Sequence, residues 1–464
     1  MPSPAPQSPS PELSSLLAQD TLLLFGYAPT GLGHIRVTDA LWRGLELPGE
    51  PKVIGASDKS LAAAHRLLTQ RKAVQAFFEW GQVGWRQQVF TPFYRRSMRG
   101  NSTVVQAEVK EAIQKQPVPP RQIVVLATHY DVAHRLAAAK EKLRQETGVP
   151  IFLVVQVTDD SPQHVWLVPG ADVIFVPSFD TRDTLLAYAK QSGITPPPFV
   201  VLSYPIPSEL SFPLSDSERA SRTASLAPEG DASIRVSVPI SGAAAGLLFL
   251  GPLMDSLNKK SSRYTFDVIC RVAAYTRDFL DRRAAAGNTL HTGTRNHEVI
   301  EAYRRLYDTQ VISLELTKPS EQAFKTLVGA AARGGSIILF APPVGRQEKD
   351  NLDFLTRHRL LPDRAQTHQL HQLWIVDKPL SEADEALRTA ARGWRALVLP
   401  HVGQIAAGFA HWALRSGLLA AMDQCDHPLP RETAHAEVEL APDGVSQFWA
   451  EVARRAADAR STGA

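Results

Sequence analysis

Chemistry is concentrated in a few short stretches of this 464-residue sequence. In the first, an apolar run, Leu22-Leu23-Leu24-Phe25, meets Thr30-Gly31-Leu32-Gly33-His34 and then an amphipathic segment reaching Leu45. That order reads as a buried strand, a tight glycine turn and a helix that begins beside a histidine. Gly31 and Gly33 let backbone approach a ligand closely, while the unpaired N–H groups and dipole of a helix start favour an anion or a polar oxygen. His34 exchanges a proton near neutral pH and suits a general base. A structural turn with an incidental histidine is the plainer reading of the same residues.

Five further stretches follow strand-like runs and so fall at the sheet edge where open α/β folds bind ligands. Asp159, in Thr158-Asp159-Asp160, is placed to orient an acceptor or assist His34, although Asp160-Ser161 equally caps a turn. His129, in Thr128-His129-Tyr130-Asp131, is a secondary candidate. In the second half, Ser241-Gly242-Ala243-Ala244-Ala245-Gly246 leaves room for a phosphate or a base, or for helix–sheet packing. Lys318-Pro319-Ser320-Glu321 offers a cation against phosphate charge and a carboxylate for ribose hydroxyls. A helix cap accounts for Ser320 and Glu321 as simply. Gln347, Glu348 and Asn351 lie on the loop after a strand ending at Phe340.

The elements that must position these groups form a regular series. Val53 to Ala56, Ile123 to Ala127, Ile151 to Val157, Val173 to Val176 and Phe199 to Leu202 read as short buried strands separated by helical patterns. The rhythm predicts an α/β fold with a parallel sheet covered on both faces. Strand candidates at Ile234 to Ile240, Phe266 to Val272, Val311 to Leu314 and Ser336 to Phe340 predict a second doubly wound unit, the two facing each other across a cleft. The expected divisions are a disordered tail at 1–18, an acceptor domain at 19–205, a linker at 206–232, a donor domain at 233–380 and a helical segment at 381–464. Glu382 to Arg392, Gly403 to Leu418 and Val445 to Ala459 are its clearest helices.

Composition narrows the class. With 44% hydrophobic and 21% charged residues, the chain is of ordinary globular type, and its length predicts two domains of roughly 200 residues. A net charge of +3 gives no reason to expect nucleic acid as a partner. Cys270 and Cys425 have no metal-ligand spacing, and reduced thiols in the cytosol are the simplest account. No apolar run is long enough to span a membrane, so membrane contact would be peripheral, at the cytoplasmic face. The region from Leu61 to Gly100 makes such contact plausible. It carries Arg71, Lys72, Arg95 and Arg96 among aromatics that include Phe77, Trp80 and Trp85, a mixture suited to anionic headgroups. The alternative is that the aromatics fill the core and the arginines form a solvated face.

Taken in order, Gly-Leu-Gly-His-x-Arg, Thr158-Asp159-Asp160 with Trp166, Pro169-Gly170-Ala171-Asp172, Pro177-Ser178, Thr317-Lys318-Pro319-Ser320 and Gln347-Glu348-Lys349-Asp350-Asn351 resemble one family. It is the two-domain GT-B glycosyltransferases typified by monogalactosyldiacylglycerol synthase, processive diacylglycerol glucosyltransferases and the N-acetylglucosaminyltransferase that forms lipid II. The resemblance spans about residues 20 to 360. It implies inverting, metal-independent transfer from a UDP-sugar, which is a substrate rather than a cofactor, to a lipid or amphipathic acceptor. His34 would then lie at the scissile bond and the Lys318 and Gln347–Asn351 motifs against the donor. Relatives carry a ribose-binding glutamate where this sequence has Thr326, so Glu321 either takes that role or ribose binding is weakened. A sugar-nucleotide epimerase or hydrolase, or a binding protein that has lost catalysis, remain as alternatives.

Overall fold

The computed structural model describes residues 11–27, 32–55, 85–100, 102–242, 244, 246–424 and 433–462. The first half builds one parallel sheet from β1 (Thr21–Gly26), β2 (Val53–Ile54), β3 (Gln122–Ala127), β4 (Ile151–Gln156), β5 (Val173–Val176) and β6 (Phe199–Val201). The spatial order is β2-β1-β3-β4-β5-β6. Every residue of β3, β4 and β5 is buried, which is why these strands are continuous Val, Ile, Leu and Phe runs rather than alternating ones.

A second parallel sheet contains β7 (Ile234–Pro239), β8 (Tyr264–Arg271), β9 (Thr289–Gly293), β10 (Leu314–Thr317), β11 (Ile337–Phe340) and β12 (Ala396–Val398). Its order is β12-β11-β10-β7-β8-β9. The protein is therefore α/β, with two doubly wound six-stranded sheets, as the alternation of patterns predicts.

The details differ from the sequence reading in several places. Residues 11–16 of the tail expected to be disordered form the helix Pro11–Leu16, whose Leu16 is buried in the core. β9 and β12 are additional strands; β12 falls in the stretch expected to be helical, and both lie at sheet edges where a three- to five-residue strand needs little apolar patterning. β10 starts at Leu314 rather than Val311, because its second residue, Glu315, is a wholly buried carboxylate that breaks the apolar pattern. Glu315 is met there by Tyr303 and Tyr307 hydroxyls at 2.9 and 2.6 Å and by Lys325 Nζ at 2.8 Å. The helix expected over Gly403 to Leu418 ends at Arg415, where Gly417 turns left-handed and a new helix, Leu418–Asp423, begins.

Several contacts join the halves. Tyr204 stacks on Phe324 at 3.8 Å, and one apolar cluster holds Phe25 and Phe175 together with Phe324, Phe340 and Phe354. The helix Gly444–Thr462 returns to the first unit, where Trp449 Nε1 donates to the Leu41 carbonyl at 2.7 Å and Phe448 packs on Phe175. The stretch at 206–232 is not bare linker, since it holds the helix Asp216–Ser225 with a Ser215/Glu218 capping box.

Each sheet reverses its strand order once, between β1 and β3 in the first and between β7 and β10 in the second. At such a switch point the connections leave in opposite directions and open a crevice beyond the carboxyl ends of the strands.

Candidate active site

The first switch point holds an imidazole in one tautomer. His34 lies in the first turn of the helix Leu32–Arg43, with Nδ1 2.6 Å from the Thr128 carbonyl and 3.2 Å from Thr158 Oγ1. A carbonyl only accepts, so Nδ1 carries the proton and the basic lone pair sits on Nε2. His129 packs its ring edge-on against His34 at 4.7 Å. It is buried, caps the helix Tyr130–Thr147 by accepting from the Asp131 N–H, and thereby has a structural reason to be there.

Asp159 follows β4 next to Thr158. Burial pushes its carboxyl up to about 7; Asn351 offsets this with a hydrogen bond, and the nearby carboxylates of Glu321, Glu348 and Asp350 add to the rise. A carboxyl so placed exchanges a proton at neutral pH. Its neighbour Asp160 is buried and structural, accepting from Ser178 and, at 2.7 Å, from Thr181 Oγ1.

The second switch point gathers charge. Lys318 follows β10 and pairs with Glu348, which also accepts from the Val344 N–H at 2.8 Å. Ser241 follows β7, and among the described residues its solvent-shielded hydroxyl has no hydrogen-bond partner. The Gly242 carbonyl accepts from the Tyr275 hydroxyl at 2.9 Å. Gly246, at φ 96°, caps the helix Leu247–Lys260 in a conformation that side chains rarely adopt. A small cavity, about 10 Å³, is lined by Arg36, Pro239, Ser241, Leu250, Thr317, Lys318, Ser320 and Glu321.

The two switch points face each other. Arg36 Nη1 reaches across to Glu321 Oε1 at 2.5 Å, with the two side chains only 13% and 14% exposed. Gly33 lies beneath this contact; a Cβ on it would be 2.9 Å from Glu321 Oε2, so a side chain there would displace the carboxylate. Asn351 is fully buried in the seam; its Oδ1 accepts from the Asp160 N–H at 2.8 Å, and its Nδ2 donates to Asp159 Oδ1 and the Pro319 carbonyl, each at 3.1 Å. Gln347 reaches Gln163 at 3.3 Å, and Ser161 donates to Asp350 at 2.5 Å.

His34, Gly33, Asp159, Ser241, Gly242, Lys318, Ser320, Glu321, Gln347, Glu348 and Asn351 thus lie about one seam, but with altered duties. Glu321 is held by Arg36 instead of pointing at an open ribose site. Ser320 occupies the cap position without making a side-chain cap bond. Thr326 turns inward, donating to the Ala323 carbonyl at 2.7 Å. Gln347, Glu348 and Asn351, expected on a loop, lie instead in the helix Arg346–Arg357, and Asn351 bridges the halves, a role that the expected loop gave no sign of. Arg36 is the residue that sequence reasoning passed over, although it closes the Gly-Leu-Gly-His-x-Arg motif.

The basic aromatic region is only partly accounted for. Gly31, Arg71, Lys72, Phe77 and Trp80 lie outside the described residues. Trp85 begins the helix Trp85–Gly100, and its side chain also lies outside them. Arg95 is a correction: it is buried, donates to the His164 carbonyl at 3.2 Å and lies over the Tyr188 ring, so it is not part of an exposed face. Arg96 is exposed, and Phe93 on the same helix is 76% exposed. Among the described residues, no helix is long and apolar enough to cross a membrane.

No family model matches this chain, and no curated protein matches it by sequence. Solved structures similar to it include UDP-GlcNAc 2-epimerase from Neisseria meningitidis bound to UDP-GlcNAc, at 12% identity and a TM-score of 0.38, covering 73% of this chain and 91% of that one. Anabaena HepE in complex with UDP and glucose has 11% identity and a TM-score of 0.42, covering 93% and 98%. Arabidopsis thaliana UGT89C1 complexed with UDP-L-rhamnose has 12% identity and a TM-score of 0.40, covering 73% and 83%.

Proposed function

We propose that the protein binds a nucleotide sugar between its two switch points and transfers the sugar, with inversion, to a hydroxyl of a lipid or other amphipathic acceptor. The observation that carries this reading is the opposition of the two crevices. One offers an imidazole whose Nε2 is its basic atom; the other offers Lys318, Ser241 and a small cavity beneath them. In the proposed reaction, His34 Nε2 takes the acceptor hydroxyl proton as its oxygen attacks the anomeric carbon, and the bond to the diphosphate breaks on the opposite face. The leaving diphosphate gains negative charge that a lysine and a shielded hydroxyl stabilise in place of water. No metal is invoked.

The donor is proposed to be a UDP-sugar and the site of action the cytoplasmic membrane surface. Exposed Phe93 and Arg96 support surface contact, an apolar ring and a cation on one helix. The test is incubation of the purified protein with radiolabelled UDP-hexoses and vesicles containing diacylglycerol or a polyprenyl-linked sugar. Label moving into the lipid phase is the expected result; donor consumed at the same rate without vesicles would overturn transfer.

A second reading is favoured by Asp159. A carboxyl titrating near 7 in the same crevice as His34 supplies an acid and a base together, which is what a sugar-nucleotide epimerase or hydrolase requires. Such an enzyme converts the donor with no acceptor present, so the experiment above separates the two.

A further inference from the structure

The charged groups of the seam neutralise one another, which is unusual for a site meant to hold a dianion. Arg36 is taken by Glu321 and Lys318 by Glu348, and all four side chains are largely shielded from solvent, at 11–14% exposure. Glu321 lies against Gly33 at the start of the helix Leu32–Arg43, where a Cβ would come within 2.9 Å of its Oε2 and push the carboxylate aside. The cavity lined by Arg36, Lys318 and Glu321 is about 10 Å³, room for hardly more than one water, so a diphosphate does not enter while these pairs stand. Inside it the Ser241 hydroxyl is left without a partner among the described residues.

We propose that Glu321 and Glu348 are internal stand-ins for the donor's diphosphate, and that Arg36 and Lys318 are the cations the diphosphate takes over when it displaces them. This rests on the nucleotide-sugar reading and deepens it by assigning Arg36, from the first half, to the donor. The geometry reverses the role expected of Glu321. A ribose ligand would be oriented toward an open pocket; this carboxylate is spent on a guanidinium across the cleft. Burial pushes the Glu321 carboxyl up, but the Arg36 charge and the Ser320 hydroxyl outweigh it and hold the carboxyl below its usual value, as for an anion seated in a cation's site. Bringing a diphosphate to Arg36 with Glu321 in place would set like charges side by side. Binding therefore requires the carboxylate to swing away, and the two halves lose one of their direct ties as they accept the donor.

The test is calorimetric titration of the full chain with inorganic pyrophosphate and, separately, with UDP. Glu321→Gln, which removes the competing charge while keeping the shape, is expected to bind both roughly tenfold tighter than the wild type. Adding Arg36→Gln to that variant is expected to abolish the gain. Glu348→Gln frees Lys318 and is expected to act in the same direction, so it decides the matter if Glu321→Gln does not fold. Weaker or unchanged binding in the folded variants would overturn the inference and return Glu321 to a hydroxyl-binding role. Tighter pyrophosphate binding without any UDP binding would sustain the displaced carboxylates and sink the nucleotide-sugar reading instead. Absence of binding of either probe by every protein would overturn both.

Discussion

Two sides of one cleft have been given different chemistry. Beyond β1 and β4, the first half holds His34 and Asp159, groups suited to moving a proton; His34 is fixed by the Thr128 carbonyl and the Thr158 hydroxyl, and Asp159 accepts from the Asn351 amide. Beyond β7, β10 and β11, the second half holds Ser241, Lys318, Glu321 and Glu348, groups suited to holding charge, and fixes the three charged ones through ion pairs. The difference implies a division of labour: damage to the first side should appear in the rate of the chemical step and damage to the second in affinity for the donor.

The largest expected effect comes from His34→Ala. Loss of a general base lowers kcat by about a hundredfold or more, while donor affinity stays within about twofold. Steady-state kinetics with varied donor checks this split, and equal losses in kcat and affinity would erase the distinction between the sides. Lys318→Ala acts the other way, weakening UDP binding by about ten- to a hundredfold through a lost charge-assisted contact. A fall in kcat with unchanged affinity would show that the lysine serves the chemistry.

Asn351→Ala tests the seam itself. It leaves the Asp160 N–H and the Pro319 carbonyl buried without their partner, and thermal unfolding should report a loss of about 1–3 kcal/mol. A change below a few tenths would mean that the halves are held by their apolar cluster alone.

A pH-dependent effect concerns Asp159. Its carboxyl is raised to about 7, so in the folded chain it keeps a proton that the unfolded chain has already released. The folded state thus binds more protons between the ordinary carboxyl value of about 3.9 and about 7, and stability falls as pH rises through that window. Asp159→Asn cannot ionise and should flatten the slope. Its unfolding curve is expected to meet the wild type's below about pH 4 and to lie above it beyond about pH 7. A parallel pair of stability profiles would place the proton elsewhere.

The sequence makes the architecture legible where burial on both faces forces continuous apolar runs, as in β3, β4, β5 and β11. It conceals β9, whose Thr-Leu-His-Thr-Gly at an edge is half polar, and it displaces β10 because Glu315 is a carboxylate in a strand, buried by Lys325 and two tyrosines on the elements before and after it. The site divides similarly. Gly33 and His34 are found from local spacing, since strand, turn and helix start are consecutive. Arg36 and Asn351 are not, because their importance comes from Glu321 and Asp159 on the opposite half, and nothing in a local pattern records who sits across a cleft. Arg95 misleads for the reverse reason: a cation among aromatics looks solvent-facing until the fold buries it against Tyr188 and the His164 carbonyl.

The central claim is that one nucleotide sugar spans both switch points. A crystal structure of the protein soaked with a UDP-hexose tests it most directly. The account predicts the diphosphate within hydrogen-bond reach of Lys318 and Ser241 and the anomeric carbon facing His34. A nucleotide bound away from the seam, or a diphosphate on the cleft with the sugar turned from His34, would contradict it.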